Sequence, residues 1–212
     1  MPTRFSAEEF IKLKQLLPIY EWGLKTMQTK LEIIHEDLKN LQNNTIIENI
    51  KGRIKAPESI AQKLNEMGME ITAENAKKRL RDIAGLRITC PFSKDIYFLA
   101  DLLKTMPGIS IISEKDYVSN PKLGGYRSYH LIVETPVFFS GKTENVAVEI
   151  QIRTEAMNFW ATLEHKARYK YRQHIPSHLS DEFKIIADKI AELDDRMFLL
   201  HEIISLINED VL

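Results

Sequence analysis

The sequence predicts an α+β protein: a mixed β-sheet of about five strands flanked by helices, with helical extensions at the amino and carboxyl ends. Three observations predict it. Alternating, β-branched segments recur between residues 82 and 153, helix-spaced segments fall between them, and long apolar stripes at three- and four-residue spacing occupy both ends.

At the amino end, Leu17, Tyr20, Leu24, Met27, Leu31, Ile34, Leu38 and Leu41 fall on one helical stripe. Pro18 is expected at the start of that helix, and Gly23 is expected to weaken its first turns. Residues 57–67 predict a helix with Pro near its first position and Ile60, Leu64 and Met67 on its apolar face. Residues 82–90 predict a strand, and 93–106 a helix closed by Pro107-Gly108. Further strands are expected over 109–118, 126–135 and 146–153. Thr154, as an N-cap with Met157 in the first turn, opens a helix reaching about residue 171. At the carboxyl end, Leu179, Phe183, Ile186, Ile190, Leu193, Met197, Leu200, Ile204 and Ile207 keep a four-three rhythm, the strongest periodicity in the chain. Periodicity leaves two packings open for both end stripes: against their own domain, or between subunits.

A chain of 212 residues can bury one sizeable core. With 44% hydrophobic and 28% charged residues it has an ordinary globular composition. No apolar run approaches the roughly 18 to 20 residues that a membrane span needs. The first residues lead into polar Ser6-Ala7-Glu8-Glu9, so no export signal is expected, and Cys90 has no second cysteine with which to form an internal disulfide. These features favour the cytoplasm. A net charge of −1 argues against coating nucleic acid with the whole surface. Charge is uneven, however: residues 51–87 hold nine Lys or Arg against five acids, and 181–212 hold nine acids against three Lys or Arg. A local basic patch of this kind suits a small polyanion such as a nucleoside triphosphate.

Four segments carry candidate chemistry. In residues 146–153, alternation places Val146, Val148, Ile150 and Ile152 on one face and Glu149, Gln151 and Arg153 on the other. If that strand is central, Glu149 needs a cation, a hydrogen-bond donor or a neighbouring Arg, because an unpaired buried carboxylate is costly to keep ionised. In residues 126–133, Tyr126, Ser128 and His130 share a face, and Gly124-Gly125 before them allows a close turn around a ligand. Tyr126 is there either a base-stacking platform or an ordinary strand aromatic. Arg53, Lys55, Ser59 and Lys63 gather at the start of a helix, where cations and free N–H groups cradle phosphates; a solvated basic face is the other reading. No Walker-type loop is present. Strict alternation would put Asp82 and Arg87 on opposite faces, and a bulge or late strand start at Gly85 would change that register.

Six motifs in order, Lys51-Gly-Arg-Ile-Lys55, Arg81-Asp-Ile-Ala-Gly-Leu-Arg-Ile88, Lys115-Asp-Tyr-Val-Ser-Asn-Pro-Lys122, Gly125-Tyr-Arg-Ser-Tyr-His130, Val148-Glu-Ile-Gln-Ile-Arg-Thr154 and Trp160-Ala-Thr-Leu-Glu-His165, resemble the synthetase domain of the RelA/SpoT family. The resemblance is to its small single-domain alarmone synthetases. It implies a nucleotidyltransferase-like synthetase fold, divided into a helical extension over 1–48, a catalytic domain over 49–172 and an oligomerisation helix over 173–212. The implied reaction moves the β,γ-pyrophosphate of ATP to the 3′-hydroxyl of GDP or GTP, with GMP a further acceptor, and needs Mg2+. By the same resemblance, Asp82 and Glu149 are the catalytic and magnesium-binding carboxylates. Arg53 and Arg87 sandwich adenine, while Lys55, Ser59 and Lys63 grip the triphosphate. Tyr126 stacks on guanine and Asn158 contacts the base edge. Lys115, Lys122, His130, Gln151 and Arg153 complete the GDP/GTP side.

Two positions depart from the family pattern. Ser113 stands where many relatives carry Arg, which leaves the choice between GDP and GTP open. Glu66 stands where several small synthetases carry a basic residue, with Lys77 or Lys78 as replacements for the missing cation. The large relatives also carry a hydrolase domain with a His-Asp doublet; none occurs here, so synthesis without degradation is expected. A homotetramer is implied, with an alarmone or single-stranded RNA as regulators. Two rivals are a pyrophosphokinase acting on tRNA or an adenosine nucleotide, using Lys166, Arg168, Lys170 and Arg172, and a non-catalytic RNA- or nucleotide-binding module.

Overall fold

The computed structural model describes residues 6–42, 45–171 and 176–209. The expected boundary at 173, Arg172 and the side chain of Leu41 lie outside the described residues. Along the chain come α1 (Ala7–Gln42), β1 (Asn49–Ile54), α2 (Pro57–Glu66), α3 (Ala73–Arg79), β2 (Ala84–Cys90), α4 (Ser93–Thr105), β3 (Ser110–Asp116), β4 (Tyr129–Phe139), β5 (Lys142–Thr154), α5 (Glu155–Lys170) and α6 (Ser177–Glu209). The five strands form one sheet in the order β1-β2-β5-β4-β3. The β2–β5 pair is parallel, and its neighbours on both sides are antiparallel. The mixed sheet flanked by helices is therefore present.

Alternation along the central strands divides the sheet into an apolar and a polar face. Leu86, Ile88, Leu131, Val133, Val148, Ile150 and Ile152 are buried on one side, and α1 and α4 cover them. Helix α1 starts earlier than expected, because the Ser6 hydroxyl accepts the Glu9 N–H at 3.2 Å and Glu8 and Glu9 occupy its first turn. Pro18 consequently lies inside the helix and not at its start. Burial of Leu13, Tyr20, Leu24, Met27 and Leu31 against the sheet offsets the hydrogen bond that Pro18 cannot donate. Gly23 serves close packing: a Cβ there would lie 2.7 Å from Val146 Cγ1 of β5. The amino-terminal stripe therefore packs on its own domain.

Two elements escape the sequence patterns. Strand β1 carries Lys51-Gly52-Arg53 in its middle and forms the sheet edge, so it lacks an apolar run, although Ile50 and Ile54 keep the alternation. Helix α3 is a short turn of chain held at its start by the Thr72 hydroxyl, which accepts the Asn75 N–H at 3.1 Å. Met67, expected on the apolar face of α2, lies past its last turn and is 49% exposed. Strand β4 runs beyond expectation, through Pro136 to Phe139. Pro136 is tolerated because β3 has ended, its last pair being Ser110 with Glu134, so no partner on that side requires an N–H.

The carboxyl-terminal stripe behaves differently from the amino-terminal one. Helix α6 is anchored by Trp160 Nε1, which donates to the Phe183 carbonyl at 2.8 Å, and by a Phe92–His201 stack at 4.7 Å. Beyond those anchors Ile186, Leu193, Met197, Leu200, Ile204 and Ile207 stay 44% to 57% exposed. Among the described residues, no helix is long and apolar enough to cross a membrane.

Candidate active site

The polar face of the sheet gathers its side chains by register. One row across the strands contains Lys51 of β1, Arg87 of β2, Gln151 of β5, His130 of β4 and Lys115 of β3. The next row contains Arg53, Gly85, Glu149 and Ile132. Glycine at 85 leaves space between Arg53 and Glu149, since a Cβ there would meet nothing closer than 3.9 Å.

Asp82 joins this face because β2 starts late, at Ala84, leaving Asp82 in the preceding connection. The backbone N–H of Lys55 donates to the Ile83 carbonyl at 2.8 Å and ties the end of β1 to that connection. Lys55 Nζ and Lys63 Nζ both donate to Asp82 Oδ2, at 2.6 and 2.5 Å. Burial pushes the Asp82 carboxyl up, but the two ammonium groups outweigh it and hold it below its ordinary value. The other oxygen, Oδ1, is buried without a hydrogen-bond partner.

Among the described residues no arginine pairs with Glu149. Gln151 Nε2 donates to its Oε2 at 2.8 Å, and His130 Nδ1 faces its Oε1 at 3.5 Å. Burial raises its pKa, while His130 and Gln151 outweigh that and leave it lowered. The Tyr126 hydroxyl meets His130 Nε2 at 2.8 Å. Arg153, 4% exposed, donates through Nη2 to Tyr126 Oη at 2.5 Å and Gln151 Oε1 at 2.6 Å, and through Nε to Ser128 Oγ at 3.2 Å. Lys122 Nζ lies over the Tyr126 ring at 5.0 Å.

Two cavities open on this face. The first, of about 260 Å³, is lined by Lys51, Gly52, Arg53, Gly85, Leu86, Arg87, Glu149 and Gln151. The second, of about 480 Å³, brings Asp82, Lys122, Tyr126, His130 and Arg153 together with residues of α5. Arg53, Arg87, Glu149 and Gln151 line both, so the two cavities share a wall. Arg87 Nε is buried and unpaired, a donor left for a ligand.

Five sequence candidates line neither cavity: Lys55 and Lys63 reach the second through Asp82, and three stand apart. Ser59 is exposed in the first turn of α2, Lys115 is exposed on β3 beside His130, and Asn158 lies earlier on α5 than the residues that line the second cavity. Asn158 Oδ1 is nevertheless buried and unpartnered. In its place α5 contributes Ala161, Thr162, Glu164, His165 and Lys166, which sequence reasoning did not assign to the site. The signal for the first four was their place in the Trp160–His165 motif, at helix spacing behind the Glu149 strand, and Lys166 follows that motif directly. Glu66 accepts from Gln62 Nε2 at 2.8 Å and Lys77 pairs with Glu144 at 2.7 Å, so Lys77 does not replace a cation at position 66.

Asp82 and Glu149, which both line the second cavity, could hold a metal. Among the described residues no group of three or more His, Cys, Asp or Glu could hold one unaided. Two hard carboxylates, one with an orphaned buried oxygen, suit magnesium, whose shell substrate phosphates commonly complete.

Known proteins resemble the chain over most of its length. The family described as a region found in RelA / SpoT proteins matches residues 52–174. GTP pyrophosphokinase YwaC of Bacillus subtilis is 44% identical over 184 residues, covering 87% of this chain and 88% of that one. The crystal structure of small alarmone synthetase 1 from B. subtilis bound to its product pppGpp superposes with a TM-score of 0.83 at 33% identity, covering 89% and 96% of the two chains. The same synthetase bound to AMPCPP gives 0.77 at 29% identity, over 91% and 97%. With the fold, its motifs and nearly the whole length in correspondence, the chain belongs to the RelA/SpoT family and is of its small alarmone synthetase type.

Proposed function

We propose that the chain is a GTP pyrophosphokinase that transfers the β,γ-pyrophosphate of ATP to the 3′-hydroxyl of GDP or GTP, making (p)ppGpp. The observation that carries this reading is the shared wall: Glu149 lines both cavities, and so sits where a donor nucleotide on one side would meet an acceptor on the other. The relatives named as a GTP pyrophosphokinase and as a synthetase bound to pppGpp or AMPCPP support both nucleotide classes.

Arg53 and Arg87 clasp adenine, for which planar guanidinium groups suit better than ammonium. Lys55, Lys63 and Ser59 take the triphosphate at the start of α2, where the helix dipole and free N–H groups add to their charge. Guanine stacks on Tyr126, with Lys122, His130, Gln151 and Arg153 around it, Asn158 at the base edge and Lys115 toward the acceptor phosphates. Glu149 takes the proton from the 3′-hydroxyl as that oxygen attacks the β-phosphorus; the bond to the α,β-bridging oxygen breaks and AMP leaves. Asp82 and Glu149 would hold magnesium, which supplies charge neutralisation on the phosphate oxygens.

The exposed apolar ladder of α6 supports assembly through that helix, and we take the assembly to be a homotetramer with alarmone or single-stranded RNA as its regulators. We take the activity to be cytoplasmic, as the polar amino-terminal sequence and single cysteine favour. Incubating the protein with labelled ATP, magnesium and, in turn, GMP, GDP, GTP or tRNA, and resolving the products by chromatography, tests the reaction and its acceptor. Label on a guanosine nucleotide is the expected result; label on tRNA alone, or on no acceptor, would refute the reading.

A further inference from the structure

We propose that Lys55 and Lys63 stand in for magnesium in the nucleotide-free protein, so that divalent metal enters with ATP and not ahead of it. The proposal rests on the reading of Asp82 as a magnesium ligand and adds the order of events.

Both oxygens of Asp82 are covered, one by the two lysines and the other by the surrounding protein. Oδ2 accepts from both ammonium groups, at 2.6 and 2.5 Å, and Oδ1 is sealed from solvent. Two ammonium groups carry the same charge as one divalent cation and sit on the same carboxylate. A metal arriving alone would face both of them at short range, in a partly buried site where screening is weak. The two lysines reach Asp82 from different elements, Lys55 from the end of β1 and Lys63 from within α2. Neither ammonium has another hydrogen-bond or ion-pair partner among the described residues. Lys63 is 39% exposed.

ATP changes the balance without any new residue. Its triphosphate offers several anionic oxygens to the two lysines, which turn from Asp82 toward the phosphates. Asp82 is thereby released beside phosphate oxygens that complete a magnesium shell. The lysines thus act as positioning residues twice, first closing the carboxylate and then aligning the donor.

Manganese, as a paramagnetic probe for magnesium, tests this by water proton relaxation. The arms are Mn2+ alone, and Mn2+ with AMPCPP, on the wild-type protein and on Lys63→Met, Lys55→Met and Asp82→Asn, each checked for folding by circular dichroism. Wild type is expected to bind Mn2+ weakly alone and tightly with AMPCPP. Each lysine variant is expected to bind Mn2+ alone about tenfold more tightly than wild type, because one opposing charge is gone. Equal affinity of wild type for Mn2+ with and without AMPCPP, or no gain in either folded lysine variant, would overturn the proposal. Asp82→Asn is expected to weaken Mn2+ binding in both arms by about tenfold or more, with Glu149 and the phosphates left as ligands. Undiminished AMPCPP-dependent binding in that variant would overturn the ligand reading itself, an outcome separate from the order of entry.

Discussion

The hydroxyl of Tyr126 and Nε2 of His130 meet at 2.8 Å, and the opposite nitrogen of the same imidazole faces Glu149. The tautomer that serves both neighbours carries its proton on Nδ1. Hydrogen bonds then run from Arg153 to Glu149 by two routes, one through Tyr126 and His130 and the other through Gln151. The residue assigned to stack guanine is thereby joined to the carboxylate assigned to take the acceptor proton.

That link separates two functions of one side chain. Tyr126→Phe keeps the ring and breaks the route through His130, so kcat is expected to fall about tenfold while KM for GDP changes little. Tyr126→Ala removes the stack and is expected to raise KM for GDP about tenfold or more. Steady-state kinetics with GDP varied at saturating ATP distinguishes the two.

Asp82 gives the protein a pH-dependent stability. Its folded pKa lies below its ordinary 3.8, so its ion pairs with Lys55 and Lys63 contribute fully above that value. The contribution is lost as pH falls through the depressed folded pKa. Urea unfolding from pH 6 downward is expected to show a steeper loss of stability below about pH 4 in wild type than in Asp82→Asn.

Gly125 fixes the turn that presents Tyr126. Its φ of +90° and a Cβ position 2.6 Å from Ala187 Cβ of α6 leave no room for a side chain. Gly125→Ala is expected to cost about 1 to 3 kcal/mol of stability in urea unfolding, through backbone strain and a displaced α6. It is also expected to raise KM for the acceptor more than KM for ATP.

The α6 ladder predicts self-association. Multi-angle light scattering is expected to give a multiple of the monomer mass for wild type and a smaller species for Leu200→Glu, with helix content retained. A monomeric wild type would rule out the helix as an oligomer interface.

How much of this was legible in the sequence varied with the strength of local patterning. Val146 to Arg153 alternates so regularly that the polar face of β5, and Glu149 as a carboxylate needing partners, follow from spacing alone. Spacing did not choose the partners: His130 and Gln151 occupy the places that a neighbouring Arg was also able to fill. Asp82 depended on where β2 begins: the strand starts at Ala84, one residue before the expected late start at Gly85, and pairs through Gly85 without a bulge. Strand β1 was hidden by Gly52 and two cations on an edge. The amino- and carboxyl-terminal stripes have the same rhythm yet opposite fates, because burial depends on what lies opposite a helix and not on the helix itself. His165 and Thr162 entered the site through the packing of α5 beside β5, a tertiary relation without its own sequence period.

The central claim is that Glu149 carries transfer of pyrophosphate from ATP to a guanosine 3′-hydroxyl. The most direct test supplies γ-labelled ATP, GDP and magnesium to wild type and to Glu149→Gln, and follows labelled guanosine product and AMP together. Wild type is expected to release AMP and labelled product in equal amounts, and Glu149→Gln to lose about a hundredfold or more of that rate. Release of ADP in place of AMP, or an unchanged rate in Glu149→Gln, would contradict it.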